Sequence, residues 1–218
     1  MQANFPKSEG ICIFCGKTFT KAGINRHLKS HLKKKEAELV EGKSYLVKVE
    51  VDPYGGSLPY FLSLWVDGDA KMGYIDTFLR DIWLECCGHM SAFSNGEISM
   101  GDMVKEVFYK DLSFFYEYDF GSTTELKLTV LEEYSVKADD DIVLLSRNEP
   151  LKWKCDVCEE ETATQICIVD DEMFCGKCAK EHAKECGDFE DYASMPVVNS
   201  PRMGVCGYTG GSIDIERD

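Results

Sequence analysis

Two Cys-x-x-Cys pairs, Cys155/Cys158 and Cys175/Cys178, frame the stretch KCDVCEEETATQICIVDDEMFCGKCAKEHAKEC (154–186), and no other feature constrains the chain so tightly. Four thiolates on two short loops can close a tetrahedron around Zn²⁺, and the metal then supplies the folding free energy that so short a segment lacks. Further donors lie in the same stretch. Cys167 falls between the pairs, and Asp170, His182 and Cys186 complete a second quartet. Eleven cysteines in 218 residues raise the question of compartment. The first twenty residues hold no apolar run of the signal-peptide kind, and no run of eighteen apolar residues follows. Thiols in metal spacing are then expected in a reducing, cytoplasmic setting with no membrane contact.

The order Cys-x2-Cys, Cys-x2-Asp, Cys-x2-Cys, then His and Cys resembles the B-box zinc domain of tripartite-motif proteins. The resemblance implies a cross-brace, in which Cys155, Cys158, Cys175 and Cys178 bind one zinc. Cys167, Asp170, His182 and Cys186 would bind the other. The sequence departs from that family at its end, where His-x3-Cys replaces the usual His pair. Cys206, farther on, is an alternative to Asp170 as a ligand of the second site.

A second zinc signature opens the chain. In ICIFCGKTFTKAGINRHLKSHLKKK (11–35), Cys12-x2-Cys15 precedes His27-x3-His31, a spacing that puts both imidazoles on neighbouring turns of one helix. The segment resembles a zinc finger of the two-Cys, two-His kind, with Phe19 and Ile24 at its core positions and Leu28 covering them. One residue is missing from the common spacer between Cys15 and His27, so a displaced helix start is expected. Three structural zinc ions per chain follow from the three quartets.

Charge is distributed unevenly. The formal net charge is −15, yet residues 1–35 carry eight Lys or Arg and a single acid, Glu9. An acidic body repels phosphate backbones, so nucleic-acid contact falls to the basic arm. Only Arg26 among the base-reading positions could bind guanine in bidentate fashion. Arg26, Lys29, Lys33, Lys34 and Lys35 therefore point to phosphate contact, on DNA or on structured RNA such as the ribosome's.

Between the zinc segments, the pattern changes to alternation. YLVKVEV (45–51), YFLSLWV (60–66), FFYEYDFG (114–121) and ELKLTVLEEYS (125–135) read as strands, with a turn at 53–59 and a hairpin at Asn95-Gly96. An apolar stripe through Ile75, Phe78, Leu79, Ile82, Trp83 and Cys86 predicts one amphipathic helix from Met72 to Cys87. Residues 44–136 resemble the Ri-plasmid open-reading-frame-three family, whose relatives include insertion-element passenger proteins. The matching motifs are His89 to Phe93 and Tyr116 to Gly121; Ser122 and Thr123 stand where many relatives have tryptophan. The resemblance implies a fold and no established catalysis.

The fold class expected is α+β in three parts. These are a zinc finger with its basic arm (1–35), a central α+β domain with one main helix against a sheet (44–136), and a B-box-like zinc module with an ordered Gly/Pro-rich tail (150–218). Cys86 and Cys87, adjacent on the expected helix, would point about 100° apart and read as core packing. Neither a phosphate loop, a nucleophile elbow nor a paired-carboxylate site is recognisable, so no catalytic residue is assigned. The expected function is non-enzymatic zinc binding, with nucleic-acid contact through the finger and protein contact through the acidic body. A pure protein–protein adaptor is the alternative, and a hydrolase or nuclease the third reading.

Overall fold

A computed structural model describes residues 5–37, 41–51 and 58–213, and the chain divides into two compact units. Most of the turn expected at 53–59 lies outside the described residues. The larger unit, Lys7–Arg80 with His89–Glu149, holds the finger and the central sheet. The smaller takes, among the described residues, 5–6, 81–88 and 150–213. Helix and sheet are mixed throughout, as the α+β expectation requires.

In the larger unit, β1 (Glu9–Ile11) and β2 (Thr18–Thr20) form a short hairpin that feeds α1 (Lys21–Glu36). Six antiparallel strands follow: β3 (Glu41–Glu50), β4 (Phe61–Asp67), β5 (Ser91–Phe93), β6 (Ser113–Tyr118), β7 (Thr124–Val136) and β8 (Ile142–Arg147). Their order across the sheet is β5-β6-β7-β3-β4-β8. Every residue of β4 is buried, as expected of an inner strand covered on both faces.

One of those covers is the finger. Ile24, Leu28 and Leu32, spaced four apart on one side of α1, are fully buried in a cluster with Leu46, Phe61, Trp65, Tyr134, Val136 and Leu145 of the sheet. Backbone bonds add to this contact. The Ile13 amide donates to the Leu145 carbonyl at 3.0 Å, and the Glu149 amide donates to the Glu9 carbonyl at 2.7 Å. Gly10 permits the approach, since a Cβ there would sit 2.5 Å from the Arg147 carbonyl oxygen. Finger and sheet thus share one core.

The helix predicted over 72–87 is shorter than its apolar stripe. α2 runs Met72–Leu79, passes into a π-turn at Arg80–Leu84 and stops, leaving Cys86 and Cys87 in a bend. Within the smaller unit, carbonyls of that turn are taken by distant groups. Asp81 O accepts from the Ser212 amide at 2.7 Å, and Trp83 O accepts from Ser200 Oγ at 2.6 Å. These bonds satisfy, from outside the helix, carbonyls that its end would otherwise leave without an intrahelical partner. A short α3 (Val104–Val107) completes the helices of the larger unit.

The smaller unit carries β9 (Gln165–Cys167), β10 (Glu172–Phe174), α4 (Gly176–His182) and β11 (Ser194–Pro196), the strands ordered β10-β9-β11. Its zinc-segment core is Cys167, Phe174, Ala179, Phe189 and Ala193, too few apolar side chains to offset chain entropy without a further staple.

Candidate metal centres

The first quartet is built by the finger's local geometry. The Gly16 amide returns to the Cys12 carbonyl at 2.8 Å, and Gly16 takes φ +66, a tight turn that sets Cys12 and Cys15 on one knuckle. α1 then brings His27 and His31 to face it. Cys15 Sγ lies 3.2 Å from His27 Nε2, which lies 3.0 Å from His31 Nε2. All four donor atoms fall within 4.8 Å of one another. Phe19 stacks on the His27 ring at 4.0 Å and fixes its plane. Burial, then the neighbouring His31, hold His27 below the usual imidazole range, favouring the neutral form a metal requires. The one-residue deletion is absorbed with α1 starting at Lys21. The helix ends at Glu36.

Cys155, Cys158, Cys175 and Cys178 form the second group, also within 4.8 Å, with Cys158 and Cys175 sulfurs 4.0 Å apart. The strand β10 delivers Cys175, and the first turn of α4 delivers Cys178. Burial raises the Cys155 thiol, but amides of Cys158, Cys175 and Val157 outweigh it and bring the group down to about 6. Cys178 is pushed up to about 12, chiefly by its contact with the Cys175 thiol. Four thiols converging on one point cannot all ionise unless a cation joins them.

Cys167, Asp170, His182 and Cys186 form the third group. Cys167 ends β9, Asp170 sits in the following turn, His182 closes α4 and Cys186 lies one turn beyond. Cys167 Sγ is 3.4 Å from Asp170 Oδ2, and His182 Nε2 is 3.1 Å from the same oxygen. The His182 ring stacks on Phe174 at 4.3 Å and meets Phe189 edge-on. Its Nε2 is buried and faces the Asp170 carboxylate, a placement that a metal between the two would satisfy. The two groups alternate along the chain, with the first, second, fifth and sixth donors in one and the rest in the other. Cys206 does not replace Asp170. It lies 3.7 Å from Cys87 instead.

That contact exposes donors the sequence reading placed elsewhere. Cys86, Cys87 and Cys206 also have their sulfurs within 4.8 Å of one another. The core-packing expectation for Cys86 and Cys87 fails because the helix stops before them, and Cys87 is exposed. A Cys in a Gly-rich turn (GVCG, 204–207) was the available signal; its partners lay over a hundred residues away.

The five cations assigned to nucleic acid do not share one environment. Lys29 pairs with Glu132 at 3.1 Å, and Lys35 pairs with Asp139 at 2.8 Å while lying over the Phe14 and Trp65 rings. Arg26, Lys33 and Lys34 are exposed.

Fold and sites together define a mixed α+β protein whose Cys/His clusters could hold several metal ions. No helix among the described residues is long and apolar enough to cross a membrane. No family model and no curated protein matches the chain. Among solved structures it is similar to MM3350, a protein of unknown function from Methanosarcina mazei Go1. Identity is 13%, the TM-score is 0.42, and the match covers 70% of this chain and 88% of that one. So distant a likeness carries neither fold nor function across.

Proposed function

We propose that this is a non-enzymatic binding protein built on structural zinc, with one Zn²⁺ in each of the three quartets. The observation that carries the reading is the convergence of four protein donors within 4.8 Å in each case. Four protein ligands fill a tetrahedron and leave no position for an activated water, which separates structural from catalytic zinc. Thiolate-rich sites of this kind suit a reducing compartment, and the cytoplasm is the compartment proposed. The central sheet is assigned to the Ri-plasmid open-reading-frame-three family on the motifs at His89–Phe93 and Tyr116–Gly121, and the C-terminal module to the B-box kind on its alternating ligands.

Protein contact is the mode this geometry favours. The apolar face of α1 is spent on the sheet, and Lys29 and Lys35 are engaged by acids of the same unit. The smaller unit meanwhile exposes Val157, Ile168, Val169 and Tyr192 among acidic neighbours. Nucleic-acid contact is the second reading, and it rests on the exposure of Arg26, Lys33 and Lys34. Three phosphate contacts would give a slope of roughly −2.7 in log affinity against log salt.

Two measurements test this. Plasma mass spectrometry should show that Cys12→Ser, Cys155→Ser and His182→Ala each remove one zinc from the full chain; unchanged metal content in all three sinks the zinc reading. A salt titration with duplex DNA and structured RNA decides the partner. Binding with the slope above that disappears in the Arg26→Ala, Lys33→Ala, Lys34→Ala triple variant replaces the protein-contact reading with the nucleic-acid one.

A further inference from the structure

We infer that Cys86, Cys87 and Cys206 form a further metal site, distinct from the three quartets, that takes a thiophilic divalent cation of the Zn²⁺ class. Cys86 and Cys87 sulfurs are 3.9 Å apart, and Cys87 and Cys206 sulfurs 3.7 Å apart. Thiolates bound at about 2.3 Å around tetrahedral zinc stand roughly 3.8 Å from one another. Both distances match that edge as closely as the Cys158–Cys175 pair does at 4.0 Å.

Hydrophobic packing does not explain the gathering. Cys87 and Cys206 are exposed and Cys86 is only half-buried, whereas a cysteine kept for packing sits in the core. None of the three is in a disulfide. The quartets use eight of the eleven cysteines, and this trio is the remainder.

The site is held in place by bonds that do not involve the thiols. Ser200 Oγ donates to the Trp83 carbonyl at 2.6 Å and accepts from the Arg202 amide at 2.9 Å. The Ser212 amide reaches the Asp81 carbonyl at 2.7 Å. Segments 119 residues apart are thereby fastened side by side within one unit. The fully buried Arg202 aims Nη2 at Cys86 Sγ, 3.7 Å away, and lends positive potential to a thiolate there. Cys206 itself adopts φ 51, between Gly204 at +76 and Gly207 at +69. A residue with a Cβ is uncommon in that region, where glycine would be the default. Three thiolates leave one coordination position of a tetrahedral ion for a further ligand.

The test uses the full chain, purified in reductant and loaded with Zn²⁺ alone. Four zinc ions per chain are expected, falling to three in Cys87→Ser and in Cys206→Ser. Wild-type protein with the same zinc content as both variants overturns the site. Because a variant can fail by misfolding, alkylation of the wild type provides an independent reading. Cys87 and Cys206 should react with N-ethylmaleimide at least tenfold more slowly with zinc than after chelation. Equal rates overturn the proposal, as does a Cys87–Cys206 disulfide in zinc-loaded, reduced protein. The quartet variants above report on the other sites separately, so loss of either reading leaves the other standing.

Discussion

If the finger shares its core with the sheet, Leu28→Ala should unfold more than the finger. Leu28 is fully buried against a cluster that includes Leu46, Phe61, Trp65 and Leu145. The substitution deletes three carbons, worth about 2.4 kcal/mol at about 0.8 kcal/mol per buried methylene. A cavity term raises the total to about 3–4 kcal/mol, within the range seen for buried Leu→Ala changes. At about 2–4 °C per kcal/mol for a domain of this size, the midpoint should fall by roughly 6–16 °C. The assay is thermal and guanidinium unfolding of zinc-loaded protein, followed by near-UV circular dichroism, with zinc affinity measured in parallel. Lys33→Ala, exposed on the same helix, is the control and should stay within about 0.5 kcal/mol. Weaker zinc binding with the sheet transition unchanged within about 0.5 kcal/mol would refute the shared core.

Three further outcomes follow from single contacts. Burial raises the phenols of Tyr116, beside Asp76, and Tyr134, near Glu132. The native state therefore keeps protons that the unfolded chain loses near pH 10, so this contribution is complete below about pH 10 and is lost as pH rises beyond it. Absorbance at 295 nm should show Tyr116 and Tyr134 ionising only with unfolding; ionisation of all ten tyrosines near pH 10 with the dichroism intact contradicts this. In Gly211→Ala the new Cβ would lie 2.4 Å from the Ile82 carbonyl oxygen and 2.6 Å from that of Asp81. Overpacking of about 1–3 kcal/mol is expected, read as faster proteolysis of the 199–213 loop, and unaltered cleavage speaks against that close approach. A Lys29→Ala, Glu132→Ala double-mutant cycle should return a coupling of at most about 1 kcal/mol, shrinking in 1 M salt; a larger, salt-insensitive value would mean the partly exposed pair is effectively buried.

Much of the sheet was legible because a half-buried strand writes its period into the sequence. Leu126, Leu128 and Val130 alternate in burial as they alternate in chemistry. The strand order was not legible, since β7 lies between β6 and β3 through pairings that depend on which faces find cover. Helix α2 shows the limit of local reading. Its stripe continues through Ile82 and Trp83, both fully buried, but the turn's carbonyls bond to Ser200 and Ser212. Periodicity reports burial; it does not report which partner takes the backbone.

The same distinction separates the donors that were read from those that were missed. Cys12 and Cys15, His27 and His31, and the two Cys-x-x-Cys pairs are local constellations, each fixed by one turn of backbone. Spacing alone therefore brings their side chains together. Asp170 and His182 are less local, yet both hang on elements whose ends the neighbouring thiols already define. Cys206 belongs to no such pattern. Its nearest thiol partner is 119 residues away, and the two meet because Ser200, Ser212 and Gly211 press the loop onto the turn at 80–84. The sequence did record that meeting, indirectly, as a cysteine set amid glycines and outside any ligand spacing. A cysteine outside any ligand spacing is thus an argument for a distant partner, and here Cys87 stands 3.9 Å from Cys86 and 3.7 Å from Cys206, the spacing a metal imposes.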